Sequence, residues 1–258
     1  MDSLPNIEPY QWTILSLALS VLVLGVQWLW RRRRERPPEI RPLPAFQDLR
    51  DEMKRAAESG SIIHIALGSG GLNGEDAVTS LAGLQVVEAL ADAAVAYDAP
   101  PIITVGDPTL LPLAQDILRR AYERRGLADL YKPSQVRFVA PASIAYAAGA
   151  ANVVATEGVM ANVVTGAFGA EVSLIADAGA RRDLPQLAAA APDAIGALYA
   201  ATDRLAVGEE LYAAGAQMTK QRRYLISLAA QDILRVILVL LISGAAALAL
   251  LSSLGILR

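Results

Sequence analysis

Two uncharged runs, residues 12–30 and 236–254, lie near the two ends of the chain and constrain its fold more than any other feature. Each is long enough to span about 28 Å as a helix at about 1.5 Å per residue, close to the hydrocarbon thickness of a bilayer. Trp12 and Trp30 bound the first run, as interfacial aromatic residues do in membrane helices. The sequence therefore predicts two transmembrane helices that flank a central domain.

Each run has one competing interpretation. The first would be a cleaved signal peptide, but Asp2 and Glu8 precede it where a basic segment belongs, and Arg31 follows it in place of small residues. The second would be a buried core helix, which its length and uniformly apolar character disfavour. Retained membrane anchors are the favoured interpretation of both runs.

Basic residues lie on the flank of each run that faces the central domain. Five arginines follow the first run and four basic residues precede the second, whereas Arg258 is the basic residue after the second run. Because the flank richer in Lys and Arg faces the cytoplasm, we expect a cytoplasmic domain and both chain ends outside. The residues concerned are Arg31, Arg32, Arg33, Arg34, Arg36, Lys220, Arg222, Arg223 and Arg235.

The chain is thus predicted to have four segments. Residues 1–31 form the N-terminal transmembrane anchor, and residues 32–45 a basic, proline-rich juxtamembrane tether. Residues 46–219 form the cytoplasmic domain, and residues 220–258 a basic juxtamembrane helix with the C-terminal transmembrane helix. Prolines at the density of the tether favour an extended, semi-rigid chain, and we expect its arginines to lie near the headgroups of the lipid bilayer.

The composition excludes several classes of chemistry and of partner. The chain has no cysteine and one histidine, His64, which excludes disulfides, thiol catalysis and multi-histidine metal sites. The predicted domain carries 21 acidic against 12 basic residues, a net charge of about −9, and such a domain repels nucleic-acid phosphates. No cofactor, no metal and no nucleic-acid partner are predicted.

Between the anchors, β-branched runs alternate with helical segments. Strands are predicted over 61–67, 101–105, 136–140, 161–165 and 171–176, and helices over 46–59, 75–97, 107–125, 143–155 and, with interruptions, 184–217. In the third helix Asp107 is the predicted N-cap and Pro108 takes the first position. Alternation predicts an α/β domain with a mostly parallel, Rossmann-like sheet covered by helices on both faces. The last two strands should form a hairpin or one bent strand.

The glycine-rich loop after the first strand is the candidate ligand site, with Gly68, Ser69, Gly70, Gly71, Asn73 and, from the next strand end, Asp107. A phosphate would bind such backbone amides at a helix N-terminus. However, Asn73 replaces the third glycine of G-x-G-x-x-G, and Glu75 and Asp76 in the first helical turn would repel an anion. A tight turn is the favoured alternative, and a loop for a neutral, cationic or metal-bridged ligand stays open.

Other candidate residues are assigned mainly to structure. His64 lies between Ile63 and Ile65 in a strand and is expected to be structural. Ser69 and Ser143 have no evident base, so no catalytic residue is predicted. Phe168, in the turn Gly166–Gly169, is expected to cap the core, with a contact between copies as the alternative.

Two runs resemble a known family. HIALGSGGLNGEDAV, from His64, and GAFGAEVSLIAD, from Gly166 to Asp177, are similar to a family of bacterial membrane proteins catalogued as a domain of unknown function. The resemblance implies a two-pass protein of the bacterial inner membrane with a cytoplasmic α/β domain. It implies no catalytic residues.

Three functions are weighed. The leading hypothesis is a membrane-anchored scaffold or accessory subunit whose domain self-associates, as a homo-oligomer, or docks a partner within a larger membrane complex. The second is a small-molecule-binding or sensory domain that uses the glycine-rich loop. The third is an enzyme with a carboxylate site at Glu75, Asp76 and Asp107.

Overall fold

A computed structural model describes residues 25, 46, 49–190, 192–206, 208–219, 231–239 and 242 of the chain. The chain divides into two compact units, one made of residues 41–219 and the other of residues 1–40 with 220–258. The predicted tether and nearly all of both predicted transmembrane helices lie outside the described residues. The strands and helices that follow belong to the unit of residues 41–219.

A six-stranded sheet forms the centre of this unit, and every pair of neighbouring strands is parallel. The order across the sheet is β3-β2-β1-β4-β5-β6. The predicted α/β class with a parallel sheet is therefore confirmed. The strands are β1 (Ile62–Gly68), β2 (Pro101–Val105), β3 (Val136–Phe138), β4 (Val159–Ala167), β5 (Gln186–Ala190) and β6 (Arg204–Ala206).

Helices cover both faces of the sheet. They are α1 (Leu49–Glu58), α2 (Ala77–Ala96), α3 (Leu111–Arg124), α4 (Ser143–Thr156), α5 (Val172–Ala180), α6 (Ile195–Tyr199) and α7 (Glu209–Thr219), with short 3-10 turns at Ala128–Leu130, Pro133–Gln135 and Pro192–Ala194. Helices α1, α2, α3 and α7 supply one core cluster, and α4, α5 and α6 supply the other. The sheet is therefore buried on both faces.

The sequence of β1 explains this double burial. Ile63, Ile65 and Leu67 enter the core on the α2 face, while Ala66 enters the core on the α4 face. Successive side chains of a strand point to opposite faces, so a strand covered on both sides is apolar at nearly every position.

Among the described residues, α2 is the one helix that is long and apolar enough to cross a membrane. However, 67% of its most apolar 18-residue stretch is buried inside the structure. Twelve of its residues are buried, and it packs on β1, β4 and α7. We therefore assign α2 to the core of the α/β unit.

The strand predicted over 171–176 is wrong, because this segment is the first part of α5. Val172, Ile175, Ala176 and Gly179 are buried while Leu174 is exposed, which is the spacing of a helix face. The predicted hairpin therefore does not exist, and β4 and β5 are parallel neighbours joined through α5.

The long helix predicted over 184–217 is also wrong in part. Gln186–Ala190 forms the buried strand β5, and Arg204–Ala206 forms β6. Alanine favours helices in isolation, but here the alanines of β5 lie between two strands and two helical layers, and this burial outweighs local propensity.

The start of α3 differs from its prediction as well. The helix begins at Leu111, so Asp107 is not its N-cap and Pro108 is not its first residue. The Asp107 carboxylate instead accepts hydrogen bonds from the backbone N–H of Thr109, at 2.8 Å, and from its hydroxyl. Asp107 therefore stabilises a separate turn between β2 and α3.

Candidate functional site

The carboxyl ends of β1 and β4 are the place where this topology would form a ligand crevice. These strands are neighbours, yet β1 leads into α2 on one face and β4 leads into α5 on the other. In open α/β sheets, ligands bind at such a point, outside the carboxyl ends of the strands. The predicted glycine-rich loop lies here, directly after β1.

The loops after β1 and β4 are in direct contact. Gly68 and Gly166 have φ of +97° and +108°, and a Cβ on either would lie within 3.0 Å of backbone atoms of the opposite strand. The carbonyl oxygen of Ala167 accepts hydrogen bonds from the N–H groups of Ser69, at 3.1 Å, and Gly70, at 3.3 Å. Glycines are required because the two backbones approach so closely. The crevice expected between these loops is closed by their own hydrogen bonds.

The carboxylates of Glu171 and Asp107 contact the loops that follow β1 and β4. Glu171 accepts hydrogen bonds from the Ser69 hydroxyl and from the Gly169 N–H, both at 3.0 Å. Asp107 lies against Gly71, where a Cβ would be 2.5 Å from its carboxylate. The amide N–H of Leu72 donates to the Thr109 hydroxyl, which Asp107 itself holds. The amides of Ser69, Gly70 and Leu72 and the hydroxyls of Ser69 and Thr109 are thus engaged within the chain.

The structure therefore brings most of the predicted site residues together, but in a loop whose polar groups are bonded to other residues of the chain. Gly68, Ser69, Gly70 and Gly71 line the contact with β4 or Asp107, whereas Asn73 is exposed. Glu171 was predicted to begin a strand over 171–176, and its contact with this loop was therefore missed. Its position two residues after Gly169, at the start of a helix, is the signal that would have found it.

We expect nucleotides not to bind this loop. ATP, GTP and NAD⁺ at millimolar concentration should leave the melting temperature of the purified chain unchanged, because the loop amides are engaged and carboxylates line the edge. A ligand at 100 times its Kd would stabilise the fold by about 2.7 kcal/mol. A saturable rise in melting temperature that Gly70→Val abolishes would contradict this.

A row of buried polar side chains crosses the sheet beside this loop. We call it the polar row: Thr104 on β2, His64 on β1, Asn162 on β4 and Gln186 on β5, all inaccessible to solvent or nearly so. His64 pairs with Asn162 in the strand register, and Asn162 pairs with Gln186. Neighbouring residues in register lie side by side on one face, so these side chains can bond in series.

In the polar row each side chain donates a hydrogen bond to the next, from Thr104 through His64 and Asn162 to Gln186. Asn162 Nδ2 donates to Gln186 Oε1 at 2.8 Å, which leaves Asn162 Oδ1 to accept from His64 Nδ1 at 2.8 Å. His64 Nε2 then accepts from the Thr104 hydroxyl at 3.0 Å. Gln186 Nε2 donates to the carbonyls of Ala176, at 2.8 Å, and Ala201, at 2.7 Å. Each nitrogen and oxygen of His64 and Asn162 in this series has a partner.

Burial lowers the pKa of His64 to about 4, and the hydrogen bond that His64 donates to Asn162 opposes this only in part. The neutral ring matches the direction of the polar row, because a charged imidazole would have to donate from Nε2 as well. The expectation that His64 is structural agrees with its position, far from any solvent-accessible reactant.

Tyr146 of α4 connects the polar row to the glycine-rich loop. Its hydroxyl accepts from the Gly68 N–H at 3.2 Å and donates to the Thr104 carbonyl at 3.1 Å. Burial raises the pKa of Tyr146 to about 12, so the phenol is protonated at neutral pH. Phe168 packs beside Tyr146 with ring centroids 6.2 Å apart and is itself buried. The prediction that Phe168 caps the core is confirmed, and the alternative of an exposed contact is wrong.

A family model described as "Domain of unknown function (DUF6754)" matches residues 3–256. The chain belongs to the DUF6754 family. No curated protein and no solved structure matches it. Membership in DUF6754 confirms the resemblance to a domain of unknown function and assigns no role to any residue.

Large apolar side chains are exposed along the carboxyl edge of the DUF6754 sheet. We call them the apolar rim: Val78, Leu81, Leu113, Phe138, Ile144 and Leu174. All except Phe138, which ends β3, lie in the first two turns of a helix that follows a strand. Exposed apolar residues are common singly, but these share one edge of the sheet.

The same edge carries carboxylates without basic residues. Six segments leave the strands at this edge and run into the start of the following helix: residues 69–81, 106–115, 139–148, 168–176, 191–196 and 207–213. Their sequences contain no Lys, Arg or His. They contain seven acidic residues: Glu75, Asp76, Asp107, Glu171, Asp193, Glu209 and Glu210. Some of these charges stabilise helix N-termini, and together they give the edge a negative potential.

No group of three His, Asp or Glu side chains is placed to hold a metal ion within the part of the DUF6754 chain that the structure describes. The carboxylates of the edge are engaged separately, Glu171 with Ser69 and Asp107 with Thr109. Of the carboxylates named in the enzyme hypothesis, Glu75 and Asp76 are exposed and Asp107 is bonded to Thr109.

A cavity of about 660 Å³ lies at the opposite, amino edge of the sheet. Its lining includes Arg55, Ser59, Met160 and Arg182, and the Arg182 guanidinium donates to the carbonyl of Val154. No local sequence pattern indicates this cavity, because its walls come from the end of α1, the start of β4 and the turn after α5.

Proposed function

We propose that this DUF6754 chain is a membrane-anchored accessory or scaffold protein without catalysis of its own, whose α/β domain docks a partner protein at the membrane surface. The carboxyl edge of the sheet would be the docking surface. One observation carries the proposal: the edge that binds ligands in comparable folds is closed between β1 and β4 and is bordered by the exposed apolar rim.

The closed loop disfavours the sensory and enzymatic alternatives. The N–H groups of Ser69 and Gly70 are bonded to Ala167, and Glu171 holds the Ser69 hydroxyl. A small ligand would have to break these bonds to reach the backbone, whereas a protein that packs on the rim would leave them intact. In this proposal the loop does not bind a ligand, and its hydrogen bonds hold the surrounding apolar rim in place.

Membrane anchoring rests on the two uncharged runs and on the charges beside them. Residues 231–239 are helical, and Val236, Leu238, Val239 and Ile242 are exposed. Exposed aliphatic side chains along a helix are typical of a segment that contacts lipid. This supports residues 236–254 as the second span.

The proposed topology predicts a specific labelling pattern. Because the chain has no cysteine, single cysteines can be introduced without background at Asn6, at Ser134 and at Leu257, which follows the second span. In intact cells, a membrane-impermeant maleimide should label positions 6 and 257. It should label position 134 only after the membrane is permeabilised. Labelling of position 134 in intact cells would contradict a cytoplasmic domain.

The docking surface predicts a second result. The triple variant Val78→Asn/Ile144→Asn/Leu174→Asn should lose a protein that co-purifies with the wild-type chain from mildly solubilised membranes. Interface anchors commonly cost more than about 1 kcal/mol each when truncated. All three positions are exposed, so the fold should be retained.

A matched control exists at the opposite edge. Leu127, Leu130 and Tyr199 are also exposed large apolar residues, and their triple asparagine variant should retain the co-purifying protein. Equal retention by both triple variants, with the same partner at the same stoichiometry, would show that the carboxyl edge is not the docking surface.

A further inference from the structure

The apolar rim and the carboxylates of the carboxyl edge together specify the chemistry of what docks there. The rim offers aliphatic side chains in the first turns of α2, α3, α4 and α5, among them Val78, 65% exposed, and Ile144, 69% exposed. The segments that lead into these four helices carry four acidic residues, Glu75, Asp76, Asp107 and Glu171, and no basic ones. A surface that is both apolar and of one charge sign selects a partner with apolar groups and the opposite charge.

We propose that the carboxyl edge binds a cationic amphipathic helix of a partner protein. This deepens the docking function proposed above and rests on it. Lys and Arg side chains of the helix would face Glu75, Asp76 and the other carboxylates, and its apolar stripe would pack on the rim. The occupant is thus a segment in which Lys or Arg alternates with large aliphatic residues at helical spacing.

Charge decides between this occupant and two others. A second copy of the chain placed edge to edge would bring two sets of carboxylates together, which costs free energy. An anionic lipid surface would be repelled for the same reason. A cationic helix satisfies the charges and covers the apolar side chains at once.

The dimensions of the edge suit a short helix. Strands β3, β2, β1 and β4 lead to the helices that carry the rim, and three strand spacings of about 4.8 Å give about 14 Å. A helix of nine or ten residues at about 1.5 Å per residue has that length. Because α2 and α3 lie on one face of the sheet and α4 and α5 on the other, apolar residues at i, i+3, i+4 and i+7 would meet the rim side chains of one of these two pairs.

The paired variant Asp76→Asn/Val78→Asn tests the edge with little risk to the fold. Asp76 is exposed and its side chain forms no capping hydrogen bond, and Val78 is exposed. The matched pair at the amino edge is Asp129→Asn/Leu130→Asn, where Leu130 is 54% exposed and Asp129 lies in a short 3-10 turn. Each pair removes one carboxylate and one aliphatic side chain.

The probe is a fluorescent amphipathic peptide of lysine and leucine, titrated by anisotropy against the full chain in phosphatidylcholine nanodiscs. Empty nanodiscs give the lipid background, and oligolysine tests charge without apolar contacts. We expect the amphipathic peptide to bind more tightly than oligolysine and its affinity to fall with salt. The Asp76/Val78 pair should raise its Kd at least about tenfold, and the Asp129/Leu130 pair should leave it unchanged.

Four outcomes would overturn the inference. Equal weakening by both pairs would mean nonspecific attraction to an acidic protein. Binding of anionic vesicles, or edge-dependent dimers of the chain, in place of peptide binding would assign the edge to lipid or to a second copy. Loss of the co-purifying protein in the Val78/Ile144/Leu174 variant without any peptide binding would leave the docking function standing and remove the cationic helix. Failure of both experiments would remove the docking function itself.

Discussion

Replacing His64 with leucine should lower the free energy of unfolding by about 2–5 kcal/mol. The leucine fills a similar volume but leaves the buried Asn162 Oδ1 without its His64 partner. It also removes one of two side-chain partners of the buried Thr104 hydroxyl, which keeps the Tyr146 hydroxyl at 3.3 Å. Each buried polar group left without a partner costs about 1–3 kcal/mol. The loss should appear in urea unfolding of the full chain in mild detergent, followed by circular dichroism.

The matched control for this variant is Ile63→Val, at the neighbouring position of β1. Ile63 points to the other face of the sheet and belongs to the α2-side core. Removing one methyl group there should cost about 0.5–1.5 kcal/mol. If His64→Leu were no more destabilising than Ile63→Val, the polar row would not be a satisfied network.

The pH dependence of stability gives a second test of His64. Burial lowers the pKa of His64 from 6.5 to about 4, so between these values the unfolded chain binds a proton that the folded chain does not. Stability contributed by the neutral ring is present above pH 6.5 and is lost as the pH falls toward 4. The wild-type chain should lose up to about 3 kcal/mol more than His64→Leu over this range. Other titrating groups are common to both proteins, so the difference isolates His64.

Alanine at Gly68 should prevent the domain from folding or destabilise it by more than about 3 kcal/mol. Its φ of +97° is unfavourable for an L-residue, and its Cβ would lie within 3.0 Å of the Ala167 carbonyl oxygen. Backbone atoms cannot yield as a flexible side chain can, so β1 and β4 would have to separate. Gly166→Ala, with its Cβ against the Leu67 carbonyl, should have the same effect. Protease resistance of the expressed chain measures both.

Gly74→Ala is the control within the same loop. Gly74 also has a positive φ, +81°, but no atom lies within 4 Å of a Cβ there. The variant should therefore cost only the conformational term of about 1–2 kcal/mol. Similar losses for Gly68→Ala and Gly74→Ala would show that the close approach of the two loops does not determine the fold at this point.

The sequence predicted the first half of the sheet closely and failed where burial outweighs local preference. β1 and β2 are rich in Ile and Val, and Pro101–Val105 matches its predicted strand at both ends. Gln186–Ala190 was assigned to a helix because alanine favours helices, yet it is buried between β4 and β6. The strand order depends on which strands of the chain pair with each other across the sheet, and no local sequence pattern indicates this pairing.

The position of the glycine-rich loop directly after β1 was predicted, but the hydrogen bonds of the loop were not, and its role as a ligand site stays a prediction. The spacing of Gly68 and Gly70 and the position of Asp107 place these residues at one edge of a parallel sheet. That Ala167 accepts from the loop amides, and that Glu171 bonds Ser69, depends on residues about a hundred positions away in the sequence. Sequence reasoning could not find such a contact, because 171–176 looked like a strand. The polar row was hidden for the same reason, since Gln186 was placed in a helix.

Photo-cross-linking in native membranes tests the central claim most directly. A photoreactive phenylalanine derivative would replace Ile144 or Val78 on the apolar rim and, as a control, Leu130 at the amino edge, all three of which are exposed. A docked partner predicts an adduct with one other protein, of constant mass, from both rim positions and none from position 130. Absence of adducts from the rim, or the same adducts from position 130, would contradict the claim that the carboxyl edge docks a protein.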